Sequence, residues 1–403
     1  MLVIKNIKKQ RKILNKLKKT LKILLSAMLI LAMTTVFAFA AEDNGEYVVS
    51  KGVEFVDQWN KAAKVNGTVK LDRDVNISSE YKLDGNRSLT IDLNGYSIKG
   101  TGTDSDYMFN ILKGSSMTVM DSSEAQNGKI VVTRVYEDYD DTIIVNDGGR
   151  LTLESGILQG NEDDDCRLVA VEYGTFVMNG GSVTGNAYDG DGAGVYVNEG
   201  TFIMNGGNIS GNHSARAGYS GGGIYFDGSS TSKLVITGGE IFGNSAYDGG
   251  AIYLDDGYAE LTGGKIYKNQ AFNTSAIKIY GNMDKVTLAG DLVVTENGFE
   301  RNSGAPVYSA AVTAAPSFYT TYEIHLGGRV KIYGNNSGDF CDESGRHGHH
   351  IMKDMDTSSE NHAWIGIDTG MDTVDEYLNE MFVKDGQGDY SSCFFKRNRE
   401  LAH

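Results

Sequence analysis

Three tyrosines recur in one phrase. Tyr196 lies in VYVN, Tyr225 in IYFD and Tyr253 in IYLD, each at the second position of a short alternating run. Side chains of such a run point to opposite faces in turn. Each tyrosine therefore shares a face with the residue two further on, namely Asn198, Asp227 and Asp255. Followed through neighbouring units, the first outward column reads Ile144, Ala170, Tyr196, Tyr225, Tyr253, Lys278, and the second reads Asn146, Glu172, Asn198, Asp227, Asp255, Tyr280. Flat rings with hydroxyl edges suit sugar rings, and acids and amides beside them suit sugar hydroxyls. The candidate ligand-binding residues are thus Tyr196, Tyr225, Tyr253, Asp227, Asp255, Asn198 and Tyr280. Tyrosine is also a good strand residue that packs well on its like, so a purely structural ladder is the competing reading. A second aromatic series, Tyr188, Tyr219, Tyr247 and Phe272, precedes the same phrases and points the same way.

The carboxylates admit a second chemistry. On successive strands, Asp227 and Asp255 would stand about 5 Å apart, and Glu172 and Asp227, two strands apart, roughly 10 Å. Both separations are near those of carboxylate pairs in glycoside hydrolysis. A regular ladder gives such spacings to any acidic column, and no arginine is expected beside these acids to serve in β-elimination. Catalysis through Asp227, Asp255 and Glu172 is therefore the lesser reading. Cys341, Asp342, Glu343, His347, His349, His350 and His362 are dense in donor atoms, but their spacing fits no zinc signature. The runs Glu162 to Asp165 and Asp189 to Asp191 offer only oxygen ligands, which would suit Ca²⁺, without a calcium-loop spacing. No metal site and no cofactor is expected.

The elements that position these residues are repeats. GTFVMNGGSVTGN, GTFIMNGGNISGN, LVITGGEIFGN and ELTGGKIYKN close on Asn186, Asn212, Asn244 and Asn269, at intervals of 26, 32 and 25 residues. Between them stand GAGVYVN, GGGIYFD, GGAIYLD and SAIKIY. A fixed period in this range marks a stacked architecture. Each unit holds three short alternating runs bounded by Gly and Asn, too short for helices. The expected fold is all-β: a right-handed parallel β-helix solenoid, about three short strands per ~25-residue coil, with an N-terminal capping helix. Its core columns would be Val169, Val195, Ile224, Ile252 and Ile277; Phe176, Phe202 and Leu234; and Val183, Ile209, Ile241 and Ile266. The paired glycines (180–181, 206–207, 238–239, 263–264) would turn corners at positive φ, and the closing asparagines would stack as an amide ladder.

These phrases resemble the pectin-lyase-like superfamily of parallel β-helices, and FVMN, FIMN and GGAI resemble the tetrapeptides repeated in adhesin-like polymorphic outer-membrane proteins. The resemblance covers about residues 83 to 370. It implies a secreted bacterial scaffold that displays a binding surface; the same scaffold also carries polysaccharide lyases and glycoside hydrolases.

Residues 1–22 carry nine Lys/Arg and no acid, and an apolar run to Ala40 ends in AFA, the pattern of a secretory signal peptide. Its removal takes the net charge of −16 to −16 − 9 = −25, which disfavours nucleic acid as a partner. Three cysteines are too few for a disulfide framework. The expected organisation is a signal peptide over 1–40, a cap region with a helix over 41–82, the β-helix over 83–336, and an irregular region over 337–403 with one last coil around HAWIGIDTG. The helix is expected over 53–66, with Val56, Trp59, Ala63 and Val65 on its buried face and Gly67 as its stop. A loop is expected from Gly298 to Thr321, then a return of the motif as EIHLGGRVKIYGNN. The whole reads as a secreted or cell-surface monomer, not membrane-inserted once the signal is removed, whose partner is an extracellular glycan or a cell-surface protein.

Overall fold

The computed structural model describes residues 45–101, 107–133, 141–160, 167–214, 218–299, 310–315, 324–336, 340–342, 350–355, 363–367, 382–384 and 394–396. The expected signal segment, the acidic run at 162–165 and most of the histidine-rich stretch lie outside these residues.

The chain is a parallel β-helix of three short strands per coil. Through the middle of the stack each strand pairs in parallel with its counterparts one coil before and after, which only a chain winding in one sense can provide. In the first sheet Val169 faces Val195, then Ile224, Ile252 and Ile277. In the second, Phe176 faces Phe202 and then Leu234. In the third, Val183 faces Ile209, Ile241 and Ile266. These are the expected core columns, and all twelve residues are essentially without solvent exposure. Phe176 and Phe202 stack at 4.9 Å with their planes 6° apart, so the column gains ring contact as well as burial.

The second glycine of each corner pair takes the positive φ, at Gly181, Gly207, Gly239 and Gly264. At Gly207 (φ +80°) a Cβ would sit 2.6 Å from the carbonyl oxygens of Gly180 and Gly181. No other residue fits there.

The asparagine ladder runs further than the sequence suggested. Asn212 Nδ2 donates to Asn244 Oδ1, Asn244 to Asn269, Asn269 to Asn297 and Asn297 to Asn335, each at 2.8–3.0 Å. The second proton of each amide goes to a third-sheet carbonyl one coil back, such as Ile209 O from Asn244. Full burial of these amides is tolerable because both donors are used. The member in the returning motif is Asn335; its neighbour Asn336 is exposed.

Helix α1 spans Phe55–Val65 and ends on Asn66, which adopts the left-handed conformation one residue before the expected Gly67. Its buried face is Phe55, Gln58, Trp59, Ala62 and Ala63, whereas Val56 and Val65 are 44% and 41% exposed. Trp59 and Ala63 lie on the buried face as expected; Val56 and Val65 do not, because Phe55, not Val56, starts the apolar stripe. Trp59 packs on Tyr81 and Phe109, with centroids 5.2 and 5.6 Å away.

Coiling continues beyond Asn297. Val312–Ala314 lies inside the expected loop, yet it pairs with Ile277–Ile279 as a first-sheet strand. Phe340–Asp342 and His350–Met355, in a stretch read as irregular, also pair in parallel with preceding strands. Trp364–Ile367, in the expected last coil, pairs with Lys331–Ile332 and with Phe394–Lys396.

Candidate functional site

The outward side of the first sheet carries the tyrosine column in the expected register: Tyr196 faces Tyr225, which faces Tyr253, with Asn198, Asp227 and Asp255 alongside. Alternation places them outward because their neighbours Val197, Phe226 and Leu254 fill the core. The three rings stack at 5.5 and 5.2 Å with interplanar angles of 10° and 4°.

Two features depart from a free aromatic platform. First, the tyrosines are half-buried, and the residues on either side of them in the column, Ala170 and Lys278, are 0% and 5% exposed. The cause is the glycine phrase before each strand, which doubles back over the sheet's outer surface. At Gly192 (φ +74°) a Cβ would meet Cα of Tyr196 and Cβ of Tyr225 at 3.0 Å. Second, the ring faces are taken. The rings cover one another, the Arg167 guanidinium lies 3.8 Å over Tyr196, and Tyr280 tilts against Tyr253 at 5.9 Å. A sugar cannot insert between rings so close together. What remains for a ligand is the line of ring edges and hydroxyls.

Carboxylates flank that line on both sides. Asp227 and Asp255 follow the tyrosines, with Glu172 two coils from Asp227 in the same register. Asp191 and Asp248 precede them, five residues before Tyr196 and Tyr253. Asp191 is fixed by the Ser220 N–H at 2.6 Å. Asp248 accepts the Thr274 N–H at 3.1 Å and pairs with the buried Lys278 ammonium at 3.8 Å. Arg167 donates from Nε to the Asp191 carbonyl at 3.2 Å.

Burial raises the phenol pKa of Tyr196, Tyr225 and Tyr253, and nearby carboxylates raise it further. The hydroxyls are therefore donors throughout the physiological range. Burial pushes the Asp255 carboxyl up to about 6, assisted by Asp227, Asp256 and Asp191. Asp227 is also raised, by burial and then by Asp256 and Glu199. Asp191 is raised by burial, against the Ser220 N–H and Arg167, which pull it down. The arrangement is a row of phenol donors between carboxylate acceptors, one of which titrates near neutrality.

Sequence reasoning brought together Tyr196, Tyr225, Tyr253, Asn198, Asp227, Asp255 and Tyr280, and placed Glu172 in the same column. It did not associate Arg167, Asp191, Glu199, Asp248 or Asp256 with the row. The signal for Asp191 and Asp248 was their shared five-residue interval to a tyrosine. Of the second aromatic series, Tyr247 stacks on Phe272 at 5.0 Å while Tyr188 is buried. Among the described residues no three His, Cys, Asp or Glu are grouped to hold a metal ion, and no helix is long and apolar enough to cross a membrane. Comparison with protein-family models, curated proteins and solved structures finds no match for the chain, so its function is to be read from the fold and from this surface.

Proposed function

We propose that the chain is a secreted or cell-surface β-helix protein of the adhesin-like kind within the pectin-lyase-like superfamily, and that it presents a binding surface for an extracellular glycan. The observation that carries this reading is the row of half-buried tyrosine hydroxyls walled by Asp191, Asp227, Asp248 and Asp255. A column of donors beside columns of acceptors, each repeating at the strand spacing of about 4.8 Å, suits the hydroxyls of a saccharide chain laid along the helix axis. A non-functional ladder has no use for desolvated phenols and acids that, at Asp227 and Asp255, have no ion-pair partner among the described residues.

The test is a glycan array with the parent and a Tyr196→Phe/Tyr225→Phe/Tyr253→Phe variant. Phenylalanine keeps the stack and removes only the hydroxyls. Binding by the parent, lost by at least about tenfold in the variant at unchanged melting temperature, is expected. Equal binding by both rejects the row as the site.

One observation favours a second reading, a carbohydrate-active enzyme on the same scaffold. Asp255, pushed up to about 6 beside Asp227 one coil away, is suited to donate a proton. Release of reducing ends from a bound glycan, abolished in Asp255→Asn, would move the assignment from binder to hydrolase.

A further inference from the structure

The second sheet holds a concavity that the tyrosine row does not reach. Its volume is about 510 Å³, within the range of small-ligand pockets. It arises where the corners of successive coils differ in length. Residues 228–232 separate Asp227 from Lys233, whereas only Asp256 and Gly257 separate Asp255 from Tyr258, with a break in the strand register. The longer corner stands up as a wall. It is braced by the Ser229 hydroxyl, which shares a hydrogen bond with Ser232 at 3.0 Å.

Inside, Lys233, Tyr258 and Lys285 occupy one outward column on three consecutive coils. Val235, Glu260 and Thr287 form the adjacent column. Leu234 and Ala259, facing the core, close the floor beneath. Tyr258 is 37% exposed. It differs from the stacked tyrosines of the first sheet, because its neighbours in the column are lysines. The rings of the described residues that lie under a cation are Tyr188, Tyr196 and Tyr267, so neither lysine covers Tyr258. Tyr258 thus lines the cavity between two lysines of its own column, with a carboxylate and a hydroxyl in the column beside it.

We propose that this cavity is a saccharide subsite that takes a single neutral hexopyranose, stacked by its apolar C–H face on Tyr258. Lys233 and Lys285 would donate to its hydroxyl or ring oxygens, and Glu260 would accept from a vicinal pair of hydroxyls. An aromatic platform with a few convergent polar groups is the general composition of such sites. The net charge of −16 opposes a polyanionic occupant at long range, while two lysines against one glutamate leave no strong field for a cation.

This inference rests on the reading of the chain as a glycan binder, and the experiment separates the two. Saturation-transfer NMR on the parent would use the methyl glycosides of glucose, galactose, mannose and N-acetylglucosamine at millimolar concentration. At least one sugar is expected to receive saturation on one ring face. Tyr258→Ala is expected to weaken that sugar about tenfold, Tyr258→Phe to retain it, and Lys233→Gln/Lys285→Gln to weaken it severalfold with an unchanged melting temperature. Transfer that survives Tyr258→Ala overturns the subsite. So does array binding by the parent that is lost in the Tyr196/Tyr225/Tyr253→Phe variant and intact in Tyr258→Ala, in which case the glycan reading stands. Absence of any glycan signal from the parent in either measurement removes both.

Discussion

Among the described carboxylates, Asp255 is the one whose environment most disfavours its charge. Its folded pKa of about 6 lies above the ordinary 3.8 because burial and Asp227 disfavour the ionised form. A raised carboxyl binds its proton more tightly in the folded state, so stability falls as pH rises through the window from about 3.8 to about 6. Below that window the penalty is absent, and above it the penalty is complete. Because Asp255 is only partly buried, the penalty is on the order of 1 kcal/mol after screening. Asp255→Asn should therefore raise the melting temperature at pH 7.5 and leave it unchanged at pH 3.5. Equal shifts at both values would show that the carboxyl carries no such penalty. At this scale the sequence told which residues share a column and not how exposed they are. Exposure of Tyr225 depends on where the chain before Gly221 and Gly249 folds, which alternation within a strand does not encode.

At the scale of the strand, register is the property most sharply specified, because a slip of one residue exchanges the two faces. Ile209 lies fully buried between Val183 and Ile241. Ile209→Asp would place an unpaired carboxylate in the core and should cost more than about 4 kcal/mol. Ser210, outward by pattern, is only 9% exposed and bonds Thr184 and Asn208, so it is a poor control. Thr201 is the better one, since it faces outward in the same coil and its register partner Lys233 would meet a new carboxylate with opposite charge. Thr201→Asp should shift the melt by less than about 1 kcal/mol, and comparable melts for the two variants would mean that the inward and outward faces are misassigned. The core columns were legible because period-two alternation and the repeat agree at every unit. The strand at Val312–Ala314 was not, because it stands alone between long stretches without the repeating phrase.

The described residues of the coiled unit form a stack in which each coil touches its neighbours, so its stability is close to a sum of nearest-neighbour terms. Such a stack is weakest where a coil lacks one neighbour, since there the apolar interior and the strand edges meet water. At the N-terminal side α1 covers that interior: Phe55 and Trp59 sit against Tyr81 and Phe109, the first-sheet residues of the earliest coils. Trp59 is 4% exposed, and its fluorescence should be blue-shifted. Trp59→Ala deletes the ring that joins helix to coil and should cost about 3–5 kcal/mol. Because coupling along the stack is local, the loss should appear first in hydrogen exchange of strands 68–71 and 81–83, with strands 224–227 and 252–261 still protected. The uncovered edges should also pair between molecules, so light scattering should report self-association of the variant. A variant that exchanges and sediments like the parent would mean that α1 rests on the stack without sealing it.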